Sequence, residues 1–419
     1  MKKYLPRIID KELKLALESM GAVLIEGPKW CGKTTTGLHH ANSFIKMQDP
    51  SNMVNNKLIA ETSPSLLLEG EKPRLIDEWQ TAPILWDTVR VDVDNTQRKG
   101  QYILTGSSSP LAETTMHTGT GRIARIKMYP MSLYESNDSS GAVSLKDLFD
   151  EKEIKASTVS RDIKDIAALV CRGGFPQNIN LDVEKALYSM RQYVQSIYNN
   201  DISDLSDTKT DPIRVQSFLR SYSRNVQTLA TYNTIMEDMK ANDVGITLPT
   251  LNSYMEKMQR LFIIDETPGW SPNIRSKSAI RITNKRGFVD PSIPVAVLNI
   301  NSEKVLKDFK LFGFLFEAMC MRDLKIYSSV LNGNVFYYRD KEGLECDAVI
   351  VLPNGDYGLV EIKLGGEQEE VAAENLLKLE SLLEATGSRP TFKMILTGSN
   401  YAYQRPDGNY VVPITALKD

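Results

Sequence analysis

Gly27-Pro28-Lys29-Trp30-Cys31-Gly32-Lys33-Thr34 follows the pattern G-x-x-x-x-G-K-[ST] and is the stretch of this sequence best suited to chemistry. A glycine loop between a strand and a helix presents backbone N–H groups and the positive end of a helix dipole, which are the donors that phosphate oxygens need. The Lys33 ammonium would reach the β- and γ-phosphates of a nucleotide, the Thr34 hydroxyl would ligate Mg²⁺, and Thr35 would complete the phosphate-binding set. A glycine turn that merely joins two elements is the alternative. The apolar strand before the loop and the helix after it argue against that alternative.

Further on, PRLIDEWQ sets Asp77 and Glu78 at the C-terminal end of an apolar strand. Ligands of open α/β sheets bind at that end. Asp77 would hold Mg²⁺ through water, and Glu78 would act as the base that polarises an attacking water. The strand Tyr102-Ile103-Leu104-Thr105 runs into a serine-rich loop, where a hydroxyl such as Ser107 could sense a γ-phosphate or could simply belong to the loop. Beyond it, TGTGRIARIKMYP supplies Arg122 and Arg125, either as guanidinium groups that neutralise transition-state charge or as the basic edge of a sheet.

A second constellation lies near the C-terminus. Asp347 opens an apolar strand, and the returning strand GLVEIKLG puts Glu361 and Lys363 two apart, hence on one face. An odd connecting loop would bring Asp347 opposite them. Glu317 sits inside an apolar helix, where an unpaired carboxylate is costly to bury. A helix Glu, a strand Asp and an E-x-K form the pattern of the PD-(D/E)xK nuclease core, in which acids hold Mg²⁺ and the lysine orients a nucleophile. The same residues also read as a buried structural pair of Glu317 with Lys363. Upstream, residues 275–286 hold Arg275, Lys277, Arg281, Lys285 and Arg286 with no acid among them, a basic segment able to grip DNA phosphates.

The elements that must carry these residues are readable from periodicity. Residues 11–20 read as a helix, and strands at 22–26, 44–47, 74–77 and 102–105 alternate with helical stretches, which predicts a parallel sheet covered on both sides. The Ser/Asn/Asp/Gly stretch 136–143 reads as a loop and a domain boundary. Residues 144–240 are helical in pattern. In 247–264 Thr247 is a candidate N-cap, and Leu251, Tyr254, Met258 and Leu261 share a face; with the strand pieces that follow, this predicts a winged helix-turn-helix. A helix at 310–324, strands at 335–339, 345–352 and 357–364, a helix at 367–386 and a strand at 391–397 predict a terminal α/β unit. The expected domains are therefore 1–135, 144–240, 241–300 and 301–419.

YLPRIID near the start, the phosphate loop, LIDEWQ, YILTGSS and GRIARIKMYPMSLYE together resemble the prokaryotic AAA+-type ATPases of the small P-loop family that carries a C-terminal domain of unknown function. CRGGFPQ (171–177), NND (199–201) and LFEAMCMRDL (315–324) resemble that C-terminal domain, so the likeness runs over essentially the whole chain. The resemblance implies ATP and Mg²⁺ as cofactors and an AAA+ core. It supports Lys33, Thr34, Asp77 and Glu78 as site residues, and Arg122 less directly, because a family's arginine finger need not be this arginine.

Composition sets the outer limits. The 419 residues carry 50 Lys plus Arg against 53 Asp plus Glu, a formal charge of −3, which excludes a wholly basic nucleic-acid coat and an acidic tail. Cys31, Cys171, Cys320 and Cys346 are scattered, with no zinc-ligand spacing and no disulfide framework, so a reducing cytoplasm is expected. Asp10, Lys11, Glu12 and Lys14 interrupt any secretion signal, and no window is apolar enough to span a membrane. The expectation is an α/β protein with an AAA+-like parallel-sheet domain, a helical and winged-helix middle and a small nuclease-like α/β domain. It would hydrolyse Mg²⁺-bound ATP and act on DNA, or serve as a nucleotide-dependent switch for a protein partner or a second copy, with an inactive nuclease-like domain. Nucleotide binding without turnover is disfavoured by Glu78.

Overall fold

Buried strands determine the architecture of the N-terminal third. The computed structural model describes residues 4–108, 118–203, 205, 210–242, 244–272 and 283–419. The chain divides into two compact units, Met1–Pro130 with Met258–Ile263, and Met131–Lys257 with Ile264–Asp419.

In the first unit, β1 (Ala22–Glu26), β2 (Ser43–Lys46), β3 (Arg74–Asp77), β4 (Tyr102–Gly106) and β5 (Ile123–Lys127) form one parallel sheet in the order β2-β3-β4-β1-β5. Alternate side chains feed opposite faces. Ala22 and Leu24 join Ile76, Leu104, Trp79 and Trp86 in one core, whereas Val23 and Ile25 join Leu75, Ile103, Ile126 and Leu13 in the other. Each fully buried aliphatic side chain contributes about 1.5–3 kcal/mol, so these faces hold the sheet between its helices. The edge strands differ: β2 alternates half-buried with exposed positions, β5 buries only Ile123 and Ile126, and the two carry Lys46, Arg125 and Lys127, charges that block further strand pairing. This order sets β4 between β1 and β3, so the loop after β1 and the acids at the end of β3 open at the same end of the sheet.

The second unit is built on a mixed sheet of β7 (Ser157–Thr158), β8 (Asn334–Arg339), β9 (Glu345–Val351), β10 (Tyr357–Lys363), β11 (Phe392–Thr397), β12 (Tyr401–Gln404) and β13 (Tyr410–Pro413), ordered β7-β12-β13-β11-β10-β9-β8. The helix Glu369–Glu384 buries Leu376, Leu379 and Leu383 against Val349, Leu359, Ile395 and Val411. The helix Phe309–Ser329 packs along β8 to β10. Helices Ile163–Arg172, Val183–Ser196, Pro212–Arg224 and Tyr232–Lys240 make the helical part. Thr247 caps the helix Leu248–Arg260 by accepting from the Thr250 N–H at 3.4 Å. Antiparallel bridges Ile264–Phe288 and Thr267–Lys285 follow it.

The stretch 136–143 is a loop, but it is bonded into the second unit. Ser139 Oγ donates to the Leu417 carbonyl at 2.6 Å, the Ser140 N–H to the Thr415 carbonyl at 2.8 Å, and β6 (Val143–Ser144) pairs with β14 (Leu417–Lys418). The buried Ser139 hydroxyl thus satisfies a backbone carbonyl of the C-terminal end rather than water.

Candidate functional site

The phosphate loop owes its shape to backbone that most residues avoid. Gly27 has φ 158° and Gly32 φ 108°, and a Cβ on Gly27 would lie 2.2 Å from the Met128 carbonyl oxygen, so only glycine fits there. The loop ends at Gly32, from which the helix Lys33–His40 starts. Lys33 is buried, and its Nζ donates to the carbonyls of Gly27 and Pro28, both at 2.8 Å, which holds the ammonium over the loop. Arg7 ties the loop from behind: Nη1 donates to the Cys31 carbonyl at 2.8 Å and Nη2 to the Tyr129 carbonyl at 2.9 Å.

Thr34, Asp77 and Thr105 meet on one oxygen. Thr34 Oγ1 donates to Asp77 Oδ1 at 2.7 Å, and Thr105 Oγ1 donates to the same oxygen at 2.6 Å. A hydroxyl and a carboxylate in contact at the N-terminus of the loop helix are a hard-oxygen donor set that suits Mg²⁺. The adjoining Glu78 adopts the left-handed conformation, φ 56° and ψ 50°, unusual for a glutamate and of a kind that clusters at functional sites. Its N–H donates to Thr105 Oγ1 at 3.3 Å, and its Oε2 accepts from Ser107 Oγ at 2.9 Å and from Gln80 Nε2. Thr105 and Gln80 were not singled out from sequence, although both lie inside the segments YILTGSS and LIDEWQ that were.

The arginines stand apart from this cluster. Arg122 Nε donates to Asp94 Oδ1 at 2.7 Å with 47% of its side chain exposed. Arg125 Nη1 donates to Glu26 Oε1 at 2.9 Å, and its guanidinium carbon lies 4.9 Å from the Trp86 ring centroid.

In the second unit Glu317, Asp347, Glu361 and Lys363 come together, and a fifth residue, Lys285, joins them. The five-residue loop between β9 and β10 sets Val351 opposite Tyr357 and Ala348 opposite Val360, and one step further the Ile362 N–H donates to Asp347 Oδ2 at 2.9 Å. Lys363 Nζ lies 3.1 Å from Asp347 Oδ2 and 2.5 Å from Glu361 Oε2. The expected pair of Glu317 with Lys363 is corrected: Lys285 Nζ lies 2.5 Å from Glu317 Oε1 and 3.5 Å from Asp347 Oδ1, bridging the two acids.

Burial is the largest influence on every charge here. It pushes Glu317 up to about 7 against the pull of Lys285, and it raises Glu361, with Asp347 adding to the rise. Burial opposes the ionisation of Asp347 too, but Lys285, Lys363 and the Ile362 N–H outweigh it and hold that carboxyl below its usual range. Both lysines are raised, since their carboxylates outweigh burial. Among the described residues no group of three or more His, Cys, Asp or Glu is arranged to hold a metal ion. Within this cluster two ammonium groups, those of Lys285 and Lys363, sit between the acids. A pocket of about 860 Å³ opens beside them, lined by Glu317, Asp347 and Lys363 together with Phe309, Phe314 and Val371.

The basic segment 275–286 needs a correction as well. Arg275, Lys277 and Arg281 lie outside the described residues. Lys285 and Arg286 are buried cations, not surface ones, because carboxylates inside the unit claim them. Arg286 pairs with Glu266, donates through Nε to the Ala230 carbonyl at 2.8 Å, and lies 4.7 Å over the Tyr232 ring.

Residues 19–137 match the family profile described as an AAA domain. This chain carries an AAA domain. The match covers the phosphate loop, Asp77, Glu78 and both candidate arginines. Beyond the AAA domain, residues 163–304 and 312–417 match two profiles described as domains of unknown function, DUF8612 and DUF4143. The chain is 23% identical over 360 residues to the uncharacterized protein Rv2008c of Mycobacterium tuberculosis, covering 84% of this chain and 72% of that protein. The figures for the uncharacterized protein Mb2031c of Mycobacterium bovis are the same. Among solved structures, the Walker-type ATPase paby2304 of Pyrococcus abyssi is 14% identical, with 70% of this chain and 96% of that chain covered at a TM-score of 0.43. A RuvB mutant of Thermotoga maritima is 15% identical, with 62% and 89% covered at a TM-score of 0.27.

Proposed function

We propose that the protein binds Mg²⁺-bound ATP at the AAA domain and hydrolyses it. The observation that carries this reading is the meeting of Thr34 and Asp77 at 2.7 Å beside a glycine loop with a buried lysine. The loop and Lys33 would bind the phosphates, and Thr34 and Asp77 would hold the magnesium ion, which supplies charge neutralisation at the phosphates when bound. Glu78 would take a proton from the attacking water. Phosphate release and nucleotide binding by the purified full chain test this. Lys33→Ala is expected to lose ATP binding, because it removes the ammonium aimed at the β- and γ-phosphates. Glu78→Gln is expected to keep binding and lose about a hundredfold or more in turnover. Turnover by Glu78→Gln at the wild-type rate would overturn the assignment of the base.

Of the two uses for that turnover, action on DNA and a switch for a protein partner, the second is favoured by a specific observation. Lys285 bridges Glu317 and Asp347 where the nuclease pattern needs a metal ion, and two of the five cations expected on a DNA-gripping wing point inward. We therefore read the second unit as a nuclease-like core without cleavage, attached to winged-helix-like helices that dock a protein, in the cytoplasm where its four buried thiols stay reduced. Supercoiled plasmid incubated with the full chain and Mn²⁺ is expected to stay intact. Nicking that Lys363→Ala removes would restore the nuclease reading and action on DNA with it.

A further inference from the structure

Gln80 makes a set of contacts that its position in the one-turn helix Trp79–Thr81 does not require. Its Nε2 donates to Glu78 Oε2 and, at 3.4 Å, to Ser107 Oγ, while Ser107 Oγ itself donates to the same Glu78 oxygen at 2.9 Å. The other end of the carboxamide is unsatisfied: Oε1 is buried and has no hydrogen-bond partner among the described residues. A buried acceptor without a donor costs about 1–3 kcal/mol. Turning the amide over would not relieve it, because Oε1 would then face the Glu78 carboxylate and two acceptors would repel. The orphaned oxygen is therefore the cost of aiming Nε2 at Glu78. Gly106 fits this arrangement, since a Cβ there would come within 3.2 Å of Gln80 Oε1.

Both donors converge on Oε2, and Glu78 Oε1 accepts no hydrogen bond among the described residues. We propose that Gln80 is a positioning residue for hydrolysis, fixing Glu78 through Oε2 so that Oε1 of the same carboxylate takes the proton of the attacking water. In that step the water oxygen bonds to the γ-phosphorus as its O–H bond breaks. The proton goes to Glu78 Oε1, and the bond between the γ-phosphorus and the bridging oxygen breaks with its electrons leaving on ADP. A carboxylate free to rotate about its last bond would offer the wrong lone pair much of the time, and loss of such alignment costs about ten- to a hundredfold in rate.

This inference rests on the proposed ATP hydrolysis, so the test separates the two. Steady-state turnover and ATP affinity are measured for the full-length wild type, Gln80→Ala, Gln80→Met, Glu78→Gln and the double variant Gln80→Ala/Glu78→Gln. Gln80→Met keeps the length of the side chain and removes the donor without adding a charge beside Glu78. Both Gln80 variants are expected to lose about ten- to a hundredfold in kcat with ATP affinity unchanged, and the double variant to be no slower than Glu78→Gln alone. A role in packing alone would leave Gln80→Met at the wild-type rate, or make the two losses add; either result overturns the proposal while Glu78 remains the base. Wild type that releases no Lys33-dependent phosphate overturns the ATPase reading itself, and this role for Gln80 falls with it.

Discussion

Lys285 shows how much one side chain decides in this molecule. Its ammonium is almost entirely shielded from water, a state that persists only because Glu317 and Asp347 face it from a helix and a strand. Removing one partner of such a pair leaves the other buried and uncompensated, which costs about 3–5 kcal/mol, whereas replacing both by apolar groups can be close to neutral. Lys285→Met is therefore expected to lower the stability of the second unit by that amount, and Lys285→Met/Glu317→Leu to recover most of it. Denaturant unfolding of both variants checks the expectation. A single variant within about 1 kcal/mol of wild type would mean that the pair contributes no more than a surface ion pair does. The contrast with Arg122, half-exposed on Asp94, is one of solvent: the same kind of contact has different weight when water is excluded.

At the scale of elements, local pattern carried most of what the sequence could say. The loop after β1, the acids ending β3 and the hairpin of β9 and β10 are each written within a few residues of chain, by glycine spacing, apolar runs and the two-residue period of a strand. Glu317 could be marked as needing a cation because its own helix is apolar around it. Which cation answers it could not be read. Lys285 reaches Glu317 across 32 positions, held by a single bridge to Thr267, and its neighbours in sequence made it look like part of a solvent-facing basic segment. Thr105 and Arg7 escaped for the same reason: their partners, Asp77 and the Cys31 carbonyl, are brought to them by strand order and by the turn before the first helix. For the stretch 136–143, small polar residues signal a loop correctly, but they do not say whether a hydroxyl faces water or, as with Ser139, the backbone of the chain's far end.

For the whole molecule, the open matter is where the positive charge for the reacting phosphate comes from. In the proposed function Lys33 would serve the bound phosphates, and the two arginines marked by pattern are engaged with Asp94 and Glu26 of their own chain. An exposed pair such as Arg122 with Asp94 contributes about 1 kcal/mol or less, so it yields readily to a stronger anion. A guanidinium delivered to a transferring phosphoryl group accelerates hydrolysis about 10³–10⁵-fold, far more than that pair opposes. The AAA+ resemblance implies that such an arginine would come from a neighbouring copy, and we propose Arg122, 47% exposed, over Arg125, which is also stacked on Trp86. Turnover per chain is accordingly expected to rise with protein concentration. Arg122→Ala chains keep an intact phosphate loop and lack the finger, while Lys33→Ala chains lack the loop and keep the finger. Each is expected to be nearly inactive alone, and a mixture is expected to regain turnover, because one complete site forms wherever a Lys33→Ala chain presents Arg122 to an Arg122→Ala neighbour. Phosphate release from the mixture, measured across a concentration series with the mass of the particles followed in parallel, decides the matter. Turnover that stays constant per chain down to a proven monomer, or a mixture no more active than its parts, would return Arg122 to the role of a surface cation on the rim of the sheet.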